Sequence, residues 1–250
     1  METIFQSLFL ITIGFLAGVI NTLAGGGSLF TLPVLILLGL PPTIANGTNR
    51  IAIIIQSLFG TLGYKSKGIS SFPFNIYLSI SSSIGALIGA YIAIDFNEIL
   101  FNKVLAIIMV FVGILILFRK KNIESNLTER LGGKHLFWTI LGFFFIGIYG
   151  GFINAGIGIV IMLILNRYNN MTLVKTNATK VSIVLIYSLF ALIIFANNDA
   201  INWEYGALLA FGTIFGAWFA SRWSVKKGDR VIRLALLISV SLMSIKLWFN

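Results

Sequence analysis

Cysteine is absent from the chain, so no disulfide, thiolate metal site or cysteine nucleophile is available. Histidine is nearly absent. His135 is the only one, and it sits in a polar connector where it reads as a solvated loop residue. Negative charge is scarce: eight Asp and Glu stand against eighteen Lys and Arg, and all eight fall near termini or loops. No carboxylate lies in mid-span, so the usual intramembrane proton relay has no candidate. A metal-dependent membrane enzyme would find no histidine or acidic cluster to hold its metal. The reading is therefore of a protein with no catalytic residues, no metal and no cofactor.

Charged residues of either sign make up only 10% of the chain, where soluble domains carry about 25%. What fills the space is apolar: 58% of the 250 residues are hydrophobic and the mean hydropathy is +0.97. A water-soluble core of this size could not hide so much apolar side chain. The sequence is that of an all-α, polytopic integral membrane protein. The net charge of +10 does not point to nucleic acid, because the cations sit in short loops between spans, as topology signals do. The first segment, 4–23, lacks a basic leader region and a small-residue cleavage site and is expected to be a retained span.

Apolar stretches run over 4–23, 28–40, 46–63, 73–94 and 101–118, then over 136–155, 157–166, 180–196, 204–221 and 231–249. A polar connector, 119–135, separates the two sets. The second stretch of each set is short of the roughly 17–20 residues that a helical span needs. Each is therefore expected to be tilted and buried, or to enter the membrane only partway.

The halves resemble each other. "GFLAGVIN" (14–21) matches "GIYGGFIN" (147–154) at an offset of 133; "NGTNRIAIIIQS" (46–57) matches "NATKVSIVLIYS" (177–188) at 131; "GALIGAYIA" (85–93) matches "GTIFGAWFA" (212–220) at 127. Order is kept over more than a hundred residues. The expected organisation is an N-terminal repeat over 1–121, a polar cytoplasmic connector over 122–133 and a C-terminal repeat over 134–250.

Charge sets the relative orientation. The loop carrying Lys65 and Lys67 has a counterpart carrying Asp199 and Glu204; the loop carrying Asp95 and Glu98 has a counterpart carrying Arg222, Lys226, Lys227, Arg230 and Arg233. Positive character swaps between equivalent loops, so by the positive-inside rule they lie on opposite faces of the membrane. The repeats are expected to be inverted, with about five helical segments each, and both termini outside. Three crossings plus a re-entrant hairpin per half would satisfy the charges equally well.

An inverted repeat directs attention to broken helices near the midplane, where transporters of this architecture bind substrate. The break is "NTLAGGGSLFTLP" (21–33), and non-helical backbone at membrane depth is tolerated only where protein buries it or a cavity hydrates it. A helix restarting near Ser28 presents first-turn N–H groups and the positive end of its dipole to an anion. Gly25, Gly26 and Gly27 let the backbone come close, Asn21 precedes them, and Ser28 is a candidate N-cap or hydroxyl donor. In the second half the equivalent region, "NAGIGIVIM", begins at Asn154 and carries fewer glycines and no serine.

The other repeated element opens the third and eighth stretches with Asn46, Thr48, Asn49 and Arg50, and with Asn177, Thr179 and Lys180. Helix capping explains Asn and Thr there equally well. Arg50 and Lys180, beside long apolar runs, either snorkel to the interface or face a cavity. Gly85/Gly89 and Gly212/Gly216 read as small-residue helix packing. Trp138, Trp203 and Trp223 sit near span ends as interfacial anchors; Trp218 lies deeper and either packs or lines the path.

At these residues the chain resembles a known family. "GFLAGVINTLAGGGSLFTLPVLILLGLPPTIANGTNR" (14–50) is similar to the N-terminal signature of the TauE/SafE sulfite exporters, and "GFINAGIGI" with "TNATK" is similar to that family's degenerate second repeat. The resemblance implies export of a small inorganic or organic sulfur anion, such as sulfite, thiosulfate or an organosulfonate, across a bacterial inner membrane. It points to Asn21, Gly25, Gly26, Gly27, Ser28, Thr48 and Asn49 as binding residues. A channel for a neutral solute and a non-transporting scaffold are the competing classes, and a homo-oligomer is compatible with the sequence. The topology is testable on this cysteine-free background: single cysteines at Lys67 and Lys227 should react with an impermeant thiol reagent only from the cytoplasmic face, and one at Asp199 only from outside. Labelling of all three from one face contradicts the inverted arrangement.

Overall fold

A computed structural model of the chain describes residues 2–117 and 128–223, with side chains over 4–114 and 128–223. The tenth stretch (231–249), the basic residues Lys226–Arg233 and most of the connector, with the repeat boundaries expected there, lie outside the described residues. Among the described residues all regular structure is helical: α1 (Glu2–Ala24), α2 (Ser28–Leu37), α3 (Pro42–Lys65), α4 (Phe74–Ile94), α5 (Glu98–Leu117), α6 (Gly133–Phe152), α7 (Ile157–Arg167), α8 (Leu173–Asn197) and α9 (Trp203–Trp223). Four of them, α1, α4, α6 and α8, are long and apolar enough to cross a membrane.

The two short stretches are short helices. α2 has 10 residues and α7 has 11, so each reaches about 15–17 Å, half of a ~30 Å hydrocarbon core. Both follow a glycine in the left-handed region, Gly25 at φ +81° and Gly156 at φ +73°, a conformation that stops a helix and that only glycine adopts without strain.

Two helix starts differ from the apolar pattern. α3 begins four residues before Asn46 and α8 seven before Lys180. Hydropathy marks where a helix becomes apolar, whereas the start is set by local chemistry. Pro42 takes the first-turn position of α3, where its missing N–H is harmless, and the Thr172 hydroxyl accepts from the Lys175 N–H at 3.4 Å to cap α8. Asn46–Arg50 and Asn177–Lys180 therefore lie inside their helices and are not N-caps. His135 likewise lies in the first turn of α6, its ring 5.3 Å from that of Tyr168, rather than in a loop.

Glycine determines how the long helices pair. A Cβ on Gly14 or Gly18 of α1 would lie 2.3 or 2.8 Å from the carbonyl oxygens of Leu209 and Thr213 in α9, and one on Gly212 or Gly216 of α9 would meet those of Ile11 and Phe15 at 2.0 and 2.2 Å. In the same way Gly85 and Gly89 of α4 press on Phe144 and Ile148 of α6, while Gly147 and Gly151 of α6 press on Ser82 and Ala86 of α4. These small-residue faces bring backbones into direct contact, the packing that replaces hydrophobic drive between helices in lipid. Each glycine of one pair has its counterpart in the other at the offsets read from the sequence.

The same contacts give direction. Advancing along α1 from Gly14 to Gly18 advances along α9 from Leu209 to Thr213, so α1 and α9 run parallel, as do α4 and α6. α3 crosses α8 in the opposite sense, with Gly47 against Ala200 just past the end of α8 and Gly60 against Val181 near its start. Outward faces are apolar: Phe5, Ile84, Phe145 and Phe219 are all more than half exposed, as lipid-facing side chains are. Trp138, Trp203 and Trp223 are exposed near helix ends. Trp218 faces outward, with the Arg222 guanidinium 4.1 Å above its ring.

Gly89→Val and Gly216→Val should each destabilise the detergent-solubilised protein by about 1–3 kcal/mol or more, through forced separation of the paired helices. Gly142→Ala, with open space around it, should melt like the parent protein. Equal melting temperatures for all three variants contradict this packing.

Candidate functional site

The two backbone breaks meet. A Cβ on Gly25 would lie 2.4 Å from the Gly158 carbonyl carbon, and one on Gly158 would lie 2.4 Å from the Gly25 Cα. Gly158 lies two residues past Gly156, the left-handed glycine of the second break, so the two breaks touch close to their turning points. Gly27 is equally confined, against the Ala17 carbonyl and the Asn21 Cβ at 2.5 Å each. Gly25, Gly26, Gly27 and Ser28 are all buried. Ser28 is the first residue of α2 and not its N-cap: Gly27 holds that position, and its N–H is taken by the Asn21 side-chain oxygen at 3.3 Å. α2 therefore has no side-chain N-cap, and the Asn side chain, reaching forward six residues, holds the cap residue's own N–H.

Each interrupted helix ends on a cation from the other half. Arg50 is fully buried; its Nη1 donates to the Gly150 carbonyl at 3.1 Å and its Nη2 to the Gly151 carbonyl, both in the last turn of α6. Its guanidinium stacks on Phe195 at 4.6 Å. Asn46 donates to the Phe152 carbonyl at 2.7 Å. In the other direction the Lys180 Nζ donates to the carbonyls of Asn21 and Thr22 at 2.9 and 3.2 Å and to the Asn177 side chain at 2.8 Å, and Asn177 donates to the Leu23 carbonyl at 3.2 Å. A helix C-terminus carries partial negative charge and unpaired carbonyls, and a buried cation answers both.

Thr48 and Thr179 sit at equivalent positions and hold equivalent loops. The Thr48 hydroxyl accepts from the Asn202 N–H at 2.8 Å; the Thr179 hydroxyl lies 2.8 Å from that of Ser71. Asn49 accepts from the Thr31 hydroxyl at 2.6 Å.

Beside the crossed breaks is a narrow polar cavity, about 10 Å³, enough for one water. Its polar lining is Asn21, Ser28, Gln56, Ser57, Asn154 and Lys180, and its apolar wall includes Val181 and Val184. Of the residues singled out in the sequence, the cavity gathers Asn21, Ser28, Asn154 and Lys180. Gly158 lines it and Gly25 touches Gly158. Thr48, Asn49, Arg50, Asn177 and Thr179 are instead engaged in the contacts above. Gln56 and Ser57 were missed; the signal was in hand, since they are polar residues closing the repeated stretch 46–57. Asn154 accepts from the Tyr187 hydroxyl at 2.7 Å, and Tyr187 occupies the position equivalent to Gln56. Among the described residues no group of three or more His, Cys, Asp or Glu could hold a metal ion.

Paired apolar helices, crossed breaks and a buried polar cavity are the architecture of a polytopic helical membrane protein, and the similarities of the chain make its class that of membrane transporters. The chain belongs to the family described as Sulfite exporter TauE/SafE, whose profile matches residues 10–247. It is 27% identical to a probable membrane transporter protein of Haemophilus influenzae over 96% of both chains, and 27% identical to the probable membrane transporter protein YfcA of Escherichia coli over 100% of this chain and 95% of that one. The probable membrane transporter protein YunE of Bacillus subtilis is 23% identical over 97% of each. No solved structure matches the chain.

The cation caps have a measurable consequence. Lys180→Met should destabilise the protein by about 2–3 kcal/mol, the worth of charge-assisted hydrogen bonds to the carbonyls at the end of α1, read by thermal melting in detergent. An unchanged melting temperature contradicts the capping role.

Proposed function

We propose that the protein exports a small sulfur-containing anion (sulfite, thiosulfate or an organosulfonate) by alternating access around the cavity at the crossed breaks. The observation that carries this reading is the polarity of the cavity's free groups. The Asn21 side-chain oxygen is occupied by the Gly27 N–H and the Asn154 oxygen by the Tyr187 hydroxyl, so each amide keeps its N–H₂ to donate. Ser28 and Ser57 add hydroxyl donors, while the Lys180 ammonium, engaged with Asn21, Thr22 and Asn177, contributes its charge at the wall. A cavity rich in donors, next to the start of α2 and its dipole, favours negative charge. Arg50 and Lys180 add long-range attraction from within the low-dielectric interior.

The architecture supports the same conclusion. α1, the N-terminal member of one pair, runs with α9, and its counterpart α6 runs with α4; α3 opposes its counterpart α8. We read the chain as two inverted repeats, 1–121 and 134–250, joined by a cytoplasmic connector, with the site between them and both termini outside. Rocking one repeat against the other would expose the cavity to either side. An anion leaving a cell gains about 2.3 kcal/mol per charge per 100 mV, so export needs no coupling carboxylate. The sulfur identity rests on the family description.

The experiment is flux from proteoliposomes with sulfite, thiosulfate, sulfoacetate, taurine and sulfate compared under imposed voltage. At least one sulfur anion should move, and the double variant Asn21→Ala/Ser28→Ala should lose about tenfold or more of that flux while staying folded. Flux that ignores anion competition, or that the double variant leaves unchanged, contradicts the proposal and favours a neutral-solute channel.

A further inference from the structure

Hydroxyls inside the helices of this protein follow a habit. Ser79, Ser82, Ser83, Thr139, Thr179 and Ser182 each donate to the carbonyl four residues back, at 2.7–3.0 Å. That is the ordinary outlet for a helical hydroxyl with no water in reach. Ser57 departs from it, as do Thr22, Thr61 and Ser188, the last at the position equivalent to Ser57, but of these four only Ser57 lines the polar cavity. It is fully buried in the middle of α3, its Oγ has no hydrogen-bond partner, and it lines the polar cavity. An unpartnered buried hydroxyl destabilises a fold, so its retention at the wall of a cavity needs a reason.

We propose that Ser57 is a substrate-binding residue that discriminates oxyanions, its hydroxyl donating to an oxygen of the anion in the cavity. This rests on the reading of the cavity as the anion site and extends it to a residue from the long helix α3, outside the glycine-serine break. The two sides of the cavity are unequal. On the α8 side the lining beyond Lys180 is apolar, Val181 and Val184, and Tyr187 at the Gln56-equivalent position spends its hydroxyl on Asn154. On the α3 side Gln56 and Ser57 are both buried and both face the cavity. α3 therefore adds side-chain donors to the cavity that the equivalent stretch of α8 does not.

The test is binding to purified protein in detergent, titrated with sodium sulfite and sodium thiosulfate, with sodium chloride at matched ionic strength, using the parent protein, Asn21→Ala and Ser57→Ala. Ser57→Ala should raise Kd for the sulfur oxyanion at least about tenfold, the effect of one hydrogen bond to a charged group, while the melting temperature of the unliganded variant stays equal or rises. If the parent protein binds, Asn21→Ala does not, and Ser57→Ala binds like the parent, the role of Ser57 is overturned and the anion site stands. A lowered unliganded melting temperature in Ser57→Ala marks the hydroxyl as structural and also overturns it. If neither oxyanion binds the parent protein more tightly than chloride does, the anion reading fails and Ser57 falls with it.

Discussion

A helix that stops inside a bilayer leaves its last carbonyls without partners, and hydrocarbon offers none. α1 and α6 both end at buried backbone, and in each case a donor comes from the opposite half: Lys180 reaches the end of α1, and Arg50 reaches the end of α6. The two breaks are thereby fastened reciprocally. Neither half satisfies its own broken helix, so the polar interior exists only when the halves are together. The cations in turn need the carbonyls, because a buried ammonium or guanidinium is costly unless it is hydrogen-bonded.

Glycine completes what the cations begin. Donors can reach the helix ends only if the backbones come close, and at Gly25 and Gly158 no side chain fits between them. The same need governs the outer pairs, where glycine faces of α1 and α9, and of α4 and α6, set backbone against backbone. These interfaces tie the first helix of each half to the fourth of the other. The Asn21 and Asn154 amide oxygens at the cavity are already engaged within the protein.

Much of this was legible in the amino-acid sequence. The repeat offsets of 133 and 127 anticipated which glycines would occupy equivalent packing positions, and the run Gly25–Ser28 marked the break. Two features misled for identifiable reasons. Asn46 and Asn177 look like caps because apolar residues begin just after them, yet Pro42 and Thr172 start those helices earlier. Arg50 and Lys180 look like a matched pair, but they differ by one alignment position, Lys180 standing opposite Asn49; each reaches its helix end by virtue of side-chain length. Periodicity and hydropathy cannot display such contacts, because they depend on how two halves cross. Ser57 was hidden for the opposite reason, since a single serine in an apolar helix ordinarily bonds to its own backbone.

The account's central claim is that a small oxyanion sits among Asn21, Ser57, Asn154 and Lys180 at the crossing of the two breaks. It is tested most directly by a crystal structure of the protein with selenite, a heavier analogue of sulfite, using the anomalous signal of selenium. The account predicts one anomalous peak within hydrogen-bonding distance of the Asn21 and Asn154 amides. Selenium bound only at surface lysines, with the cavity free of it at saturating selenite, would contradict the claim.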